Sequence, residues 1–211
     1  MNKLTKAGFA GLFLSLTAVL ASCGSSSETS SDTVAVTADV FPVTVGDLTL
    51  DAQPTRIISL SPTATEMLYA IGAGSQVVAV DEYSNYPAEA VALGTPLSGF
   101  EPNIEAISGY TPDLVIISYD PGSLVEQLST LDIPVFVAGA AMSIENVYEQ
   151  IEQLGVLTGN SQKAIEVSKT LQTGIEEAVA SVQFSEPPLS YYYELDNTYY
   201  SVTSNTFIGQ I

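Results

Sequence analysis

From Arg56 onward, short apolar runs alternate with longer stretches of helical spacing, and this alternation constrains the fold more than any other feature. The runs cover residues 56–60, 77–80, 113–117 and 134–137. Each is too short for a helix of ordinary length and fits a strand. Leu114-Val115-Ile116-Ile117 carries no polar residue at alternate positions, so its strand is buried on both faces. Strands that alternate with helices call for an α/β lobe with a mostly parallel sheet covered by helices.

The helical stretches carry their own start signals. Ser61-Pro62 opens the first, because serine caps a helix and proline suits its first position. Glu66 falls in its early turns and Gly72 stops it. Asn103 caps a helix bearing Ile104 and Ile107, residues 123–131 form another, and Ser143 caps a third. In that third helix Ile144, Val147, Tyr148, Ile151 and Leu154 keep helical spacing. Residues 161–182 read as one long helix with Ala164, Val167, Leu171, Ile175 and Val179 on its apolar face. Pro187-Pro188 ends it. A strand over 189–195, a partner over 199–202 and a helix from Ser204 or Asn205 follow. So little material cannot bury its own apolar surface, and the expectation is a fragment that ends inside a second lobe.

The other end reads differently. Lys3 and Lys6 precede an apolar run over 7–20, and the chain's one cysteine follows in Leu20-Ala21-Ser22-Cys23. The three parts of a secretory signal are present. A helix of that length reaches about 21 Å, short of a hydrocarbon core of roughly 30 Å. The tetrad resembles the lipobox at which a bacterial lipoprotein is acylated and cut, and the resemblance implies Cys23 as a lipidation site and residues 1–22 as a lipoprotein signal peptide; the alternative is an ordinary secretory signal that happens to hold a cysteine. Residues 23–40, rich in Ser and Thr, form a flexible stalk. Residues 41–50 alternate around Gly46-Asp47 as a hairpin.

Composition then excludes whole classes of function. Beyond Cys23 there are three cations (Arg56, Lys163, Lys169) against 24 acids, a formal charge of −21 for residues 23–211. Such a chain repels nucleic acid and anionic lipid surfaces. With no histidine and no further cysteine, a zinc or copper site lacks its usual ligands, and relay-type nucleophilic catalysis lacks its usual base.

Five passages, in order, carry a resemblance. They are Arg56-Ile57-Ile58-Ser59-Leu60-Ser61-Pro62-Thr63-Ala64-Thr65-Glu66, Ile71-Gly72-Ala73-Gly74, Tyr83-Ser84-Asn85-Tyr86-Pro87, Gly99-Phe100-Glu101-Pro102-Asn103-Ile104-Glu105 and Tyr110-Thr111-Pro112-Asp113-Leu114-Val115-Ile116. Together they resemble the iron-siderophore and vitamin B12 family of substrate-binding proteins of ABC importers, most of all its vitamin B12-binding branch. The match spans about residues 55–184. The resemblance implies a Rossmann-like parallel-sheet lobe over 41–158, a connecting helix over 159–184, and over 185–211 the start of a second α/β lobe. It implies a monomer that holds a small-molecule ligand between lobes and delivers it to an ABC transporter permease. It implies no enzymatic activity, no cofactor beyond the bound cargo, and no structural metal.

Ligands of open parallel sheets sit beyond the carboxyl ends of the strands. That rule and the family pattern nominate the same residues: Ser61, Pro62, Tyr83, Asn85, Tyr86, Gly99, Phe100 and Tyr119. Tyr119 stands where the vitamin B12 binders carry a ligand-facing tryptophan. Four of them have a structural reading as well: Ser61 as a helix cap, Tyr83 and Tyr86 as loop braces, Phe100 as a buried plug. The Tyr191-Tyr192-Tyr193 run suits sheet packing. Anionic cargo, such as ferric catecholates or heme, calls for Arg or Lys forks, and this lobe offers only Arg56 at the wrong end of its strand. A corrinoid or a ferric hydroxamate is therefore the expected cargo. The family's acidic permease-docking position falls at Gly122, and Glu126, one turn further on, is the candidate substitute. A ligand-sensing receptor lipoprotein without transport, a heme-binding protein and a lipid-anchored enzyme are the competing readings. The last lacks paired carboxylates, a nucleophile–base set or a phosphate loop.

Overall fold

A computed structural model describes residues 39–183, 187, 190, 192–194, 197–198 and 200–211. The expected signal segment, Cys23 and nearly all of the expected stalk lie outside these residues.

The described chain opens with a hairpin of β1 (Val43–Val45) and β2 (Leu48–Leu50), paired antiparallel with Val43 opposite Leu50 and Val45 opposite Leu48. The two-residue turn needs a left-handed conformation, which Gly46 supplies at φ +58°. Val43, Val45 and Leu48 pack on the main core.

The alternation read from sequence becomes β3 (Ile57–Leu60), α1 (Pro62–Ala70), β4 (Val77–Val80), α2 (Ala88–Val91), α3 (Ile104–Gly109), β5 (Leu114–Ile117), α4 (Leu124–Ser129), β6 (Val135–Val137), α5 (Ile144–Thr158) and α6 (Ser161–Ser181). The strands form one parallel sheet in the order β4-β3-β5-β6. β3 and β5 are buried along their whole length. Their alternate side chains enter two cores. Ile57, Leu114 and Ile116 join Leu68, Leu154 and Leu157 on the α1/α5 face. Ile58, Leu60, Val115 and Ile117 join Ile107, Leu124 and Leu128 on the α3/α4 face. The period of two along each strand thus delivers one apolar set to each side of the sheet.

The caps fall where the side chains allow them. Ser61 Oγ accepts the amide of Ala64 at 3.3 Å, Asn103 Oδ1 that of Ala106 at 2.9 Å, and Ser143 Oγ that of Asn146 at 3.4 Å. Gly159, at φ +73°, ends α5 in the left-handed conformation. On α6 the expected apolar face divides: Ala164 is buried and Val167 half-buried, whereas Leu171, Ile175 and Val179 are exposed. No described helix is long and apolar enough to cross a membrane.

Toward the C-terminus the expected strand over 189–195 falls partly outside the described residues. Among those described, Glu194 and Ser201 form an antiparallel bridge. The last helix, α7 (Phe207–Gln210), starts later than expected from Ser204 or Asn205: Thr206 is its cap and accepts the amide of Gly209 at 3.2 Å.

Candidate functional site

β3 is central in the sheet, and the chain leaves it on one side for β4 while β5 and β6 lie on the other. The sheet therefore reverses its winding between β3 and β5, and at that switch point the loops diverge and open a crevice. Register fixes what lines it. Leu60 is paired with Ile117, so Ser61-Pro62 and Ser118-Tyr119 leave the sheet side by side. Two cavities open there. One, of about 410 Å³, is lined by Leu60, Pro62, Asp81, Tyr83, Gly99, Phe100, Ser118 and Tyr119. The other, of about 690 Å³, shares Ser118 and Tyr119, and has Ser61, Met67 and Gln150 on one part and Phe207 and Ile208 of α7 on another.

Five of the eight nominated residues meet at the smaller cavity. The Phe100 ring stands edge-on to Tyr83, with centroids 5.5 Å apart, and lies tilted 6.2 Å from Tyr119. The three rings are 54, 63 and 43 % exposed for Tyr83, Phe100 and Tyr119, so Phe100 is no buried plug. Such amphipathic and apolar faces suit a large, partly flat ligand. Phe100 is held out by the turn beneath it: Ser98 Oγ accepts the amides of Phe100 at 3.3 Å and Glu101 at 3.2 Å. Gly99 is required by close approach. A Cβ there would stand 2.7 Å from the Leu60 carbonyl oxygen and 3.1 Å from Asp81 Oδ2.

The remaining nominees lie elsewhere. Ser61 is buried, its hydroxyl occupied as the α1 cap, and it borders the larger cavity. Tyr86 faces a separate groove beside Thr63, Glu66 and Leu171. Asn85 is exposed and lines none of these cavities. Glu126 is an exposed first-turn residue of α4, following Gly122 and Ser123, which both hold left-handed φ.

Asp81 was not singled out from sequence. It directly follows β4, at the carboxyl end where the rule places ligands, and is only 4 % exposed. Its Oδ1 accepts the Ser84 hydroxyl at 2.6 Å, and the Ser84 and Thr65 oxygens are 2.9 Å apart. Thr65 donates to Ser59 Oγ at 2.8 Å, and Ser59 to the Ser61 carbonyl at 3.1 Å. Burial pushes the Asp81 carboxyl above the ordinary aspartate value, against the Ser84 hydroxyl and amide that favour its charged form; the adjacent Glu82 adds to the rise.

Among the described residues the crevice is bare of cations: no Lys or Arg lines either cavity. Arg56 sits at the opposite, amino end of β3, where its guanidinium donates to the carbonyls of Tyr110 and Thr111. No group of three or more potential His, Cys, Asp or Glu metal ligands comes together among the described residues.

Comparison with known proteins places this architecture. Over 181 residues the chain is 34 % identical to a cobalamin-binding protein of Halobacterium salinarum, covering 80 % of this chain and 48 % of that one. It is 30 % identical to an uncharacterized ABC transporter substrate-binding lipoprotein of Bacillus subtilis, covering 82 % of this chain and 57 % of that one. The chain thus spans about half the length of these relatives. The crystal structure of the periplasmic vitamin B12-binding protein of Vibrio cholerae superimposes with a TM-score of 0.56 at 31 % identity, covering 69 % of this chain and 57 % of that one. The model of the periplasmic binding protein family matches residues 57–211, and with the parallel sheet and its switch-point crevice this makes the chain a member of that family.

Proposed function

We propose that the intact protein is the substrate-binding component of an ABC importer and that it captures a corrinoid, or a ferric chelate of equally low charge, at the switch-point crevice. It is a carrier and not an enzyme, lipid-tethered outside the cytoplasm through Cys23. The observation that carries this reading is the row of three exposed rings, Tyr83, Phe100 and Tyr119, over a crevice with no cationic side chain. Catecholate complexes and heme carry anionic groups that need Arg or Lys partners. A cargo of amides and apolar ring edges needs none, and the relatives named for cobalamin and vitamin B12 point the same way. A tether by stalk and lipid keeps such a carrier at high effective concentration near its permease.

A thermal-shift series on the intact protein with cobalamin, heme, a ferric hydroxamate and a ferric catecholate tests the cargo. Cobalamin or the hydroxamate raises the melting point, corresponding to about 2.7 kcal/mol at a hundred times the dissociation constant. Stabilisation by the catecholate or heme alone would exclude the reading.

Docking on the permease is assigned to Glu126 at the exposed start of α4. Glu126→Lys leaves cargo affinity unchanged and lowers uptake into cells several-fold, since a reversed rim charge slows encounter. Unaltered uptake would remove Glu126 from the docking surface.

A further inference from the structure

We propose that the larger cavity holds the amide-bearing edge of the cargo whose ring the aromatic row receives, and that Gln150 reads a primary amide there. This rests on the cargo reading above and adds to it a residue that chooses between neutral cargoes.

The sheet builds this cavity beside the aromatic one. The Ala138 amide donates to the Ile117 carbonyl at 2.8 Å, which prolongs the pairing of β5 with β6, so the chain beyond β6 leaves next to Ser118 and Tyr119. It leaves as Ala138-Gly139-Ala140-Ala141, a run with no side chain larger than methyl. Such a run fills little of the space it borders, and about 690 Å³ stays open between it, the start of α1 and α7. Ser118 and Tyr119 border both cavities, so a ligand lying on the aromatic row can pass Tyr119 into the larger space. Size favours that path. The smaller cavity, about 410 Å³, lies low in the range of roughly 300–1,000 Å³ that drug-sized ligands occupy. A macrocycle with amide side chains around its rim is larger than such ligands and has to extend beyond it.

Charge and hydrogen bonding define what enters. No Asp, Glu, Lys or Arg lines the larger cavity, and Met67, Val147, Phe207 and Ile208 make much of its wall apolar. An ionised group placed there loses water without gaining a counter-ion. Gln150 is the one side-chain amide on the wall. It lies one turn after Val147 on α5, half-buried, and its Nε2 donates to the Gly139 carbonyl at 2.6 Å. A carbonyl only accepts, so the NH2 group faces Gly139 and the orientation of the amide is fixed. That contact uses one of the two N–H bonds. Among the described residues Oε1 and the second N–H have no other partner. An acceptor and a donor held in one plane match the N–H and C=O of a primary amide, which supplies the same two groups in reverse. A corrinoid carries primary amides around its rim, whereas a ferric hydroxamate spends its polar oxygens on the metal. Gln150 therefore favours the corrinoid of the two.

The test is a calorimetric titration of the intact protein with cobalamin and with neutral derivatives in which single rim amides are converted to methyl esters, which keep the carbonyl and lose the N–H. For at least one rim position the wild type binds the ester roughly 5- to 30-fold more weakly, because Oε1 is then covered without a donor. In Gln150→Leu the amide and that ester bind alike, since neither has a partner. A residue that only held Gly139 in place would lower both affinities and leave their ratio as it was. An unchanged ratio therefore overturns the role of Gln150, as does a wild type that prefers no amide. Ala140→Phe tests the cavity separately. Ala140 is exposed on its wall, so the fold tolerates a ring there, and the ring fills the space. It lowers cobalamin affinity by roughly 10-fold or more, as a misfit in a ligand pocket does. Unchanged affinity would place the cargo outside the larger cavity. Absence of cobalamin binding by the wild type overturns the cargo reading and this assignment with it, whereas firm binding with no amide preference overturns the assignment alone.

Discussion

Replacing Phe100 by alanine is expected to weaken cobalamin binding by the intact protein roughly 10- to 100-fold, about 1.4–2.8 kcal/mol. Phe100 is the middle ring of the three, in contact with Tyr83 on one side and Tyr119 on the other. Its removal takes away its own face and also loosens both neighbours, which lose the ring that holds them in line. The ring is 63 % exposed without cargo, so the fold depends on it little. The unfolding free energy should therefore hold within about 0.5 kcal/mol of the parent, as for ordinary surface substitutions. Calorimetric titration with cobalamin, run beside thermal unfolding, separates the two effects. Unchanged affinity would move the cargo away from the aromatic row. A matched fall in stability would make Phe100 a structural residue.

The second large effect concerns the pairing of α5 with α6, and here two physical rules give opposite signs. Gly155 lies inside α5, where glycine costs roughly 0.5–1 kcal/mol relative to alanine, so helix propensity alone says that Gly155→Ala stabilises. The helix crossing says otherwise. A Cβ on Gly155 would stand 2.3 Å from the Ala164 Cβ and 3.2 Å from the Ser161 Cα. The first residues of α6 pass directly over this glycine, and Ala164 is fully buried beneath it. Gly155→Ala is expected to lower stability by about 1–3 kcal/mol, and Gly155→Val by more, because overpacking a filled contact forces backbone shifts. For a chain of this size each kcal/mol moves the melting point by about 2–4 °C. Thermal unfolding decides the sign, and Ala164→Gly should recover most of the loss in the Gly155→Ala background. A higher melting point for Gly155→Ala alone would show that the helices can separate freely there.

The fold was legible because its signals are local. Strand and helix differ in the spacing of apolar residues, and the spacing around Ile57, Val77, Leu114 and Val135 located every strand of the main sheet. Ser61, Asn103 and Ser143 marked helix starts because each side chain meets an amide only three residues away. The last helix was misplaced by a residue or two because Ser204, Asn205 and Thr206 are all competent caps, and only the path of the chain selects Thr206.

The site was legible in part. The carboxyl-end rule brought out Pro62, Tyr83, Gly99, Phe100 and Tyr119, which the structure gathers around one cavity. It could not separate Tyr83 from Tyr86 three positions on, since which tyrosine turns toward the crevice depends on how the loop folds over α1. Asp81 opens the run after the second strand that the same rule indicates, yet it was not nominated, because one more acid in a chain with 24 carries no message by itself.

Sequence by itself determined the order and kind of elements, the caps, the acidic balance and the motif around Cys23, since each depends on neighbours within a few positions. Tertiary structure alone decided which loops meet. The order β4-β3-β5-β6 sets Pro62 beside Tyr119 and brings Gly99 against Asp81, contacts between residues far apart in the chain. It also reversed the expected sign at Gly155 and set burial against charge at Asp81, because packing and desolvation are properties of surroundings that no local pattern encodes.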